Sequence, residues 1–178
     1  MLETKKKERP TNWIIEQIKL IAPKRKIQIL DFASGNGRNS IHLAEKDKII
    51  TAIDKDSKRL DGYRKFNYIN TICFDLETDE EWPLKNEYYD IIIVVNYLYR
   101  PKIKKLINLL NNGGHLFYET FALGNEKYGS PRNPDYLLKD KELLNFFSKD
   151  NEILSYFNGV VTEEKISIKQ RCLIKKAS

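Results

Sequence analysis

The sequence predicts an α/β fold: a Rossmann-like three-layer sandwich around a mostly parallel seven-stranded sheet that ends in an antiparallel hairpin. Three observations predict it. Apolar β-branched runs alternate with stretches of helical spacing, the pattern of strand–helix–strand units. Tyr89–Asn96, YDIIIVVN, is a continuous β-branched run of the kind found in a central strand buried on both faces. Ile27–Leu43, IQILDFASGNGRNSIHL, reads as a buried strand, a glycine turn and the start of a helix.

The elements follow in chain order. Residues 1–10 read as a flexible arm, and 11–178 as one domain, a length that suits a full core. Thr11 or Asn12 can cap a helix to about Ile21, with Trp13, Ile14, Gln17, Ile18 and Ile21 near helical spacing. Strand one is 27–32 and its helix about 38–46. Strand two is Ile49–Ile53, closed by Asp54, with a helix at about 56–65. Strand three is Asn70–Phe74, ending in Asp75-Leu76-Glu77. After strand four comes a lysine-rich helix at about 102–110. Asn112-Gly113-Gly114 reads as a turn, and His115–Thr120 as strand five. Residues 121–135 form a long loop, a length that is often functional. Pro134 to about Phe147 reads as a helix. Ile153–Phe157 and Ile166–Lys175 read as the closing antiparallel pair.

Ligands in open parallel sheets bind outside the carboxyl ends of the strands. Gly35 and Gly37 sit there, where the absence of a Cβ lets backbone N–H groups approach a ligand. Two ligands compete for this turn. A dinucleotide site wants a third glycine or alanine, and the sequence has Ser40. Asp31, before the glycines, would face a pyrophosphate unfavourably. It suits a ligand with no phosphate and a cationic amino group, such as S-adenosylmethionine. Asp54, seventeen positions beyond Gly37, can accept from both ribose hydroxyls. Asp75 can accept from an adenine amino group, with Leu76 supplying a backbone N–H. Asn96 ends strand four beneath the methyl group. Alone, Asp54 and Asp75 could each be turn or helix caps. The set of three acids at consecutive strand ends favours a binding role.

On these residues the chain resembles class I S-adenosylmethionine-dependent methyltransferases, and within them a small bacterial group related to the tellurite-resistance type. The resemblance covers about Pro10 to Lys175, through LDFASGNGRNSIHLA, AIDKD, FDLE with WPL, DIIIVVNYLYRP, NGGHLFYETF, GNEKYGSPRNPDYLL and QRCLIK. Ser34 stands where relatives often carry Cys. The matching runs add Ala33, Ser34, Asn39 and Lys55 to the candidate cofactor contacts. Asn96, Tyr97 and Glu119 are the residues expected to face the acceptor, with Glu119 a candidate base or orienter, or else a partner of Arg100 or Arg132. Tyr99, Arg100, Tyr128, Arg132 and Asn133 are candidate substrate contacts. Trp13 either packs its helix or covers the cofactor.

The expected reaction is methyl transfer to a small-molecule acceptor. The sequence shows no inserted recognition domain, no N/D-P-P-Y/F/W run after strand four and no Pro-Cys pair. RNA is the alternative, because the net charge is +6. A cofactor-binding protein without turnover is another. Two cysteines and two histidines, without ligand spacing, predict no metal site. Cys73 and Cys172 read as small core residues, and His42 and His115 as structural. No apolar run reaches membrane-span length and no secretory signal is visible, so the expected compartment is the cytoplasm. The oligomeric state stays open.

Overall fold

A computed structural model describes residues 9–163 and 165–177. The expected arm at 1–10 falls almost wholly outside these residues. Seven strands form one sheet: β1 (Ile27–Phe32), β2 (Lys48–Asp54), β3 (Ile69–Cys73), β4 (Tyr89–Val95), β5 (Leu110–Phe121), β6 (Asn151–Val161) and β7 (Ser167–Lys176). Their order across the sheet is β3-β2-β1-β4-β5-β7-β6. The first five run parallel, and β7 is antiparallel to both β5 and β6. The chain reverses direction across the sheet between β1 and β4, which opens a crevice at their carboxyl ends.

Alternation along each strand feeds two apolar layers. Leu30, Phe32, Ile92 and Val94 pack on one face, with Leu106, Leu109, Leu143 and Phe147 from helices α4 (Leu106–Leu109) and α5 (Glu142–Phe147). Ile27, Ile29, Ile91 and Ile93 pack on the other. They meet Ile14, Ile15 and Ile18 of α1 (Asn12–Ile21), Leu43 of α2 (Arg38–Leu43) and Leu60 of α3 (Ser57–Asp61). β4 is thus buried on both sides, as its unbroken apolar run requires.

The helices are shorter than their sequence spacing suggests. α2 stops at Leu43 because Glu45 and Lys48 exchange backbone hydrogen bonds, closing a tight turn straight into β2. The lysine-rich segment is a 3-10 helix over Arg100–Lys105 followed by one α turn. Pro134 to Phe147 is not one helix. A 3-10 turn at Pro134–Tyr136 is separated from α5 by Lys141, whose φ of +55° lies in the left-handed region and interrupts helix propagation. β5 is longer than expected. Gly113 and Gly114 are absorbed as an irregularity between the pairs Tyr89–Leu110 and Ile91–His115 rather than standing before the strand. Cys73 is exposed and not in the core, whereas Cys172 is buried as expected.

Candidate active site

A cavity of about 1290 Å³ opens where the parallel strands end. Its floor is the turn after β1. Ala33, Gly35 and Gly37 all have left-handed φ, of 56°, 55° and 70°. At Gly37 the requirement is doubled, because a Cβ would sit 2.7 Å from the Tyr63 ring. At Gly35 only Arg59 comes within 4 Å of that point, so the backbone there is open to a ligand. The Tyr63 hydroxyl shares a 2.7 Å hydrogen bond with Ser34 Oγ and donates to the Gly35 carbonyl at 3.3 Å, which pins the turn from behind.

Asp31 is 3% exposed and faces this cavity. Its Oδ2 accepts from Ser40 Oγ at 2.6 Å and from Ser40 N–H at 3.2 Å. Burial pushes its pKa up to about 7, against the lowering effect of these bonds and of the Arg38 charge. A cation placed beside it would relieve that strain, which an ammonium group on a ligand can do.

Asp54 ends β2. Its Oδ2 accepts from Gly35 N–H at 2.8 Å and its Oδ1 from Asp56 N–H at 2.9 Å. Each carboxylate oxygen keeps a further lone pair, so both can still accept from a vicinal diol. Asp75 follows β3, exposed, with Lys55 Nζ 4.0 Å away and Leu76 buried beside it. Asn39 is buried, and its Oδ1 accepts from Thr11 N–H at 2.9 Å. Asp54, Lys55, Asp75, Leu76 and Asn39 all line the cavity.

Asn96 follows β4 with φ +56°, and its N–H donates to the Glu119 carbonyl at 2.8 Å. Ala33 and Asn96 thus carry the same rare backbone conformation on neighbouring strands at the crevice, the kind of stored strain that accompanies binding sites. Tyr97 stacks edge-on against Phe32 at 5.8 Å. Its hydroxyl is buried without a hydrogen-bond partner, and burial raises its pKa.

Other expected contacts are placed differently. Glu119 lines the cavity but its partners are neither Arg100 nor Arg132. It is 1% exposed, and its two oxygens take Lys169 Nζ at 2.6 Å and Arg171 Nε at 2.7 Å. A carboxylate held by two cations is an anchor rather than a base. Arg100 lies away from the cavity. It forms a two-pronged pair with Glu142, at 2.6 and 3.0 Å, and donates to the carbonyls of Asp135 and Leu137. Tyr99 donates to the Glu77 carbonyl at 3.1 Å, and Asn133 accepts from Asp135 N–H to cap its turn. Neither they nor the exposed Arg132 line the cavity, whereas Tyr128 does. Trp13 packs on Phe117 at 5.7 Å and lies under Arg171, so it packs its helix and does not cover the cavity.

Residues not singled out from sequence complete the far wall. Phe121 and Lys169 come from the β5–β7 pair, Asn125 from the loop, and Val161, Ile166 and Ser167 from the tip of the β6–β7 hairpin. Lys169 Nζ also sits 5.0 Å over the Phe121 ring. Their only sequence signal was the length of the loop. Among the described residues, no group of three or more His, Cys, Asp or Glu is placed to hold a metal ion, and no helix is long and apolar enough to cross a membrane.

Residues 29–114 match a family model described as a methyltransferase domain. No curated protein sequence matches the chain. Among solved structures, TehB from Haemophilus influenzae is similar at 20% identity and TM-score 0.73, over 93% of this chain and 62% of that one. The chain therefore spans about three-fifths of that relative's length. A structure described as a SAM-dependent methyltransferase from Methanosarcina mazei is similar at 16% identity and TM-score 0.70, over 94% of this chain and 99% of that one. Another so described, from Aquifex aeolicus, is similar at 12% identity and TM-score 0.69, over 92% and 89%. At these identities the likenesses concern the fold.

Proposed function

We propose that this chain, whose residues 29–114 match a methyltransferase domain model and whose fold is similar to those of solved S-adenosylmethionine-dependent methyltransferases, transfers a methyl group from S-adenosylmethionine to a small-molecule acceptor. It does so as a cytoplasmic enzyme with one domain over residues 11–178. The observation that supports a small acceptor is the size and shape of the cavity. About 1290 Å³ exceeds the roughly 300–1,000 Å³ that holds one small ligand. The surplus volume runs from the β1–β3 carboxylates to the hairpin tip, where Phe121, Val161 and Ile166 stand among Glu163, Lys165, Ser167 and Lys169.

In this reading Asp31 takes the amino group of the cofactor, Asp54 the ribose hydroxyls, and Asp75 with Leu76 the adenine. The open face of Gly35 leaves room for the cofactor's chain. Ala33, Ser34, Gly37, Asn39 and Lys55 shape the rest. The cofactor brings a methyl group already activated by its positive sulfur. The protein's task is to hold the acceptor in line, with reacting atoms roughly 3–3.5 Å apart, and to exclude water. Asn96 and Tyr97 orient the acceptor. Because burial raises its pKa, the Tyr97 hydroxyl stays protonated and serves as a hydrogen-bond donor, not a base. Tyr128, from the loop, closes the acceptor end.

The test is transfer of labelled methyl groups from S-adenosylmethionine to a panel of small acceptors, with total RNA alongside. Labelling of a small molecule supports the reading, and labelling of RNA alone overturns it. RNA is the second reading because the net charge is +6. It predicts binding that weakens steeply with salt.

A further inference from the structure

Lys169 of β7 puts an ammonium into the far wall of the cavity, on the side away from the three strand-end acids. Its side chain keeps a tenth of its surface accessible. The register fixes its neighbours, with Phe121 opposite it on β5 and Gly159 opposite it on β6. Gly159 puts no side chain over the lysine. Nζ lies 2.6 Å from Glu119 Oε1 and 5.0 Å over the Phe121 ring. Glu119 and Phe121 both line the cavity, as Lys169 does, so the ammonium stands at the wall and not behind it.

An ammonium has three N–H donors. Among the described residues, Glu119 is the one hydrogen-bond acceptor on Lys169 Nζ. Glu119 does not serve Lys169 alone, because its other oxygen takes Arg171 Nε at 2.7 Å. Glu163 is the second acid of the cluster, and it pairs with Arg171. Arg171 is thus met by two carboxylates and Lys169 by a shared one. A buried charge is costly unless paired and hydrogen-bonded. Two donors and part of a positive charge remain at Lys169, which suits one monoanionic oxygen pair. A dianion would set its second charge against Glu119.

We propose that Lys169 determines acceptor specificity, and that the acceptor is an organic acid held by its carboxylate on the Lys169 ammonium. This rests on the methyl-transfer reading above. The carboxylate is a handle and not the methylated group. β7 lies two strands from β4, whose end carries Asn96, and two strand spacings are roughly 10 Å. The body of the acceptor spans that distance past Phe121, with its reacting atom toward Asn96. Glu119 acts through Lys169 by fixing where the ammonium points.

The experiment is ligand-observed NMR titration of protein saturated with S-adenosylhomocysteine. The probes are matched acids and amides, phenylacetate with phenylacetamide and octanoate with octanamide, and inorganic phosphate as a bare anion. Wild-type protein is expected to bind an acid about tenfold or more tightly than its amide, the scale of a charge-assisted hydrogen bond. The bound acid should show an NOE to the Phe121 ring, a readout that needs no variant. Lys169→Met keeps the stem and leaves Glu119 paired with Arg171. It should erase the acid preference with S-adenosylhomocysteine affinity unchanged, and Lys169→Arg should retain part of the preference. Equal binding of acid and amide, a preference that survives Lys169→Met, phosphate binding as tight as the acids, or no NOE to Phe121 each overturns the proposal. Failure of wild-type protein to bind S-adenosylhomocysteine sinks the cofactor reading itself. Binding of S-adenosylhomocysteine without binding of any acid sinks only the Lys169 assignment.

Discussion

The Asp54 carboxylate accepts the Gly35 N–H at 2.8 Å, so the end of β2 holds the turn that closes β1. A second bond, from Asp56 N–H at 2.9 Å, ties the same carboxylate to the start of α3. Asp54→Ala therefore removes a brace as well as the proposed ribose contact. We expect S-adenosylhomocysteine affinity to fall at least tenfold, and unfolding free energy to fall by about 1–3 kcal/mol, since two backbone donors lose a charged acceptor. Titration and denaturant unfolding of the one variant read both. Unchanged cofactor affinity would show that the ribose assignment is wrong.

Gly37→Ala tests the turn from the other side. It places a Cβ 2.7 Å from Tyr63 at a φ of +70°. Left-handed strain of about 1–2 kcal/mol adds to the displacement of a buried ring. The variant should unfold at lower denaturant and bind the cofactor weakly. Gly37→Ala with Tyr63→Ala removes the clash, but it keeps the strain, leaves a cavity and removes the Tyr63 bonds to Ser34 and Gly35, so it should not recover the stability.

The pH dependence follows from Asp31. Its pKa is pushed up to about 7, above the ordinary aspartate value of 3.8, chiefly by burial. A group raised in the folded state contributes stability that is full below about pH 4 and is lost as pH rises through about 7. The difference in stability between wild type and Asp31→Asn should therefore shift against wild type over that window. A ligand ammonium favours the ionised carboxylate. S-adenosylhomocysteine affinity should accordingly strengthen as pH rises toward and through 7 in wild type. It should stay flat in Asp31→Asn.

The Arg100–Glu142 pair ties the 3-10 helix after β4 to the first residue of α5. The neighbouring guanidinium lowers the Glu142 pKa against burial. Arg100→Ala should lower the melting temperature, through a loss of about 1–3 kcal/mol in a partly buried, multiply bonded pair. Cofactor affinity should stay unchanged. A large effect on cofactor or acceptor binding with no loss of stability would return Arg100 to the site.

Glu119→Gln leaves Lys169 and Arg171 without their shared buried anion, a loss on the order of 3–5 kcal/mol. The expected signature is a large stability defect with an unchanged pH profile in whatever protein remains folded. A shifted pH profile at full stability would mark Glu119 as a base after all.

The gathering of the three strand-end acids at the crevice was legible because each placement is local. Asp31, Asp54 and Asp75 each follow an apolar run, and a strand's end places its side chain at the crevice whatever the distant chain does. The far wall of the cavity was not. Lys169 and Arg171 reach Glu119 only through the β5–β7 register, which sets Glu119 opposite Arg171 and Phe121 opposite Lys169 across some fifty residues of chain. Arg100 misled for the same reason, since its partner Glu142 is forty-two positions away. Helix lengths failed on backbone detail: Lys141 turns left-handed, and Gly113 and Gly114 sit inside a strand. Thr11 was legible as a cap position, but nothing local showed that its hydroxyl leaves the helix uncapped.

The central claim is that the crevice over Gly35 binds an adenosyl amino acid and not a dinucleotide. Parallel calorimetric titrations with S-adenosylhomocysteine and NAD test it most directly. Saturable S-adenosylhomocysteine binding that depends on Asp31 and Asp54 is expected, with no heat from NAD. NAD binding with no response to S-adenosylhomocysteine would contradict it.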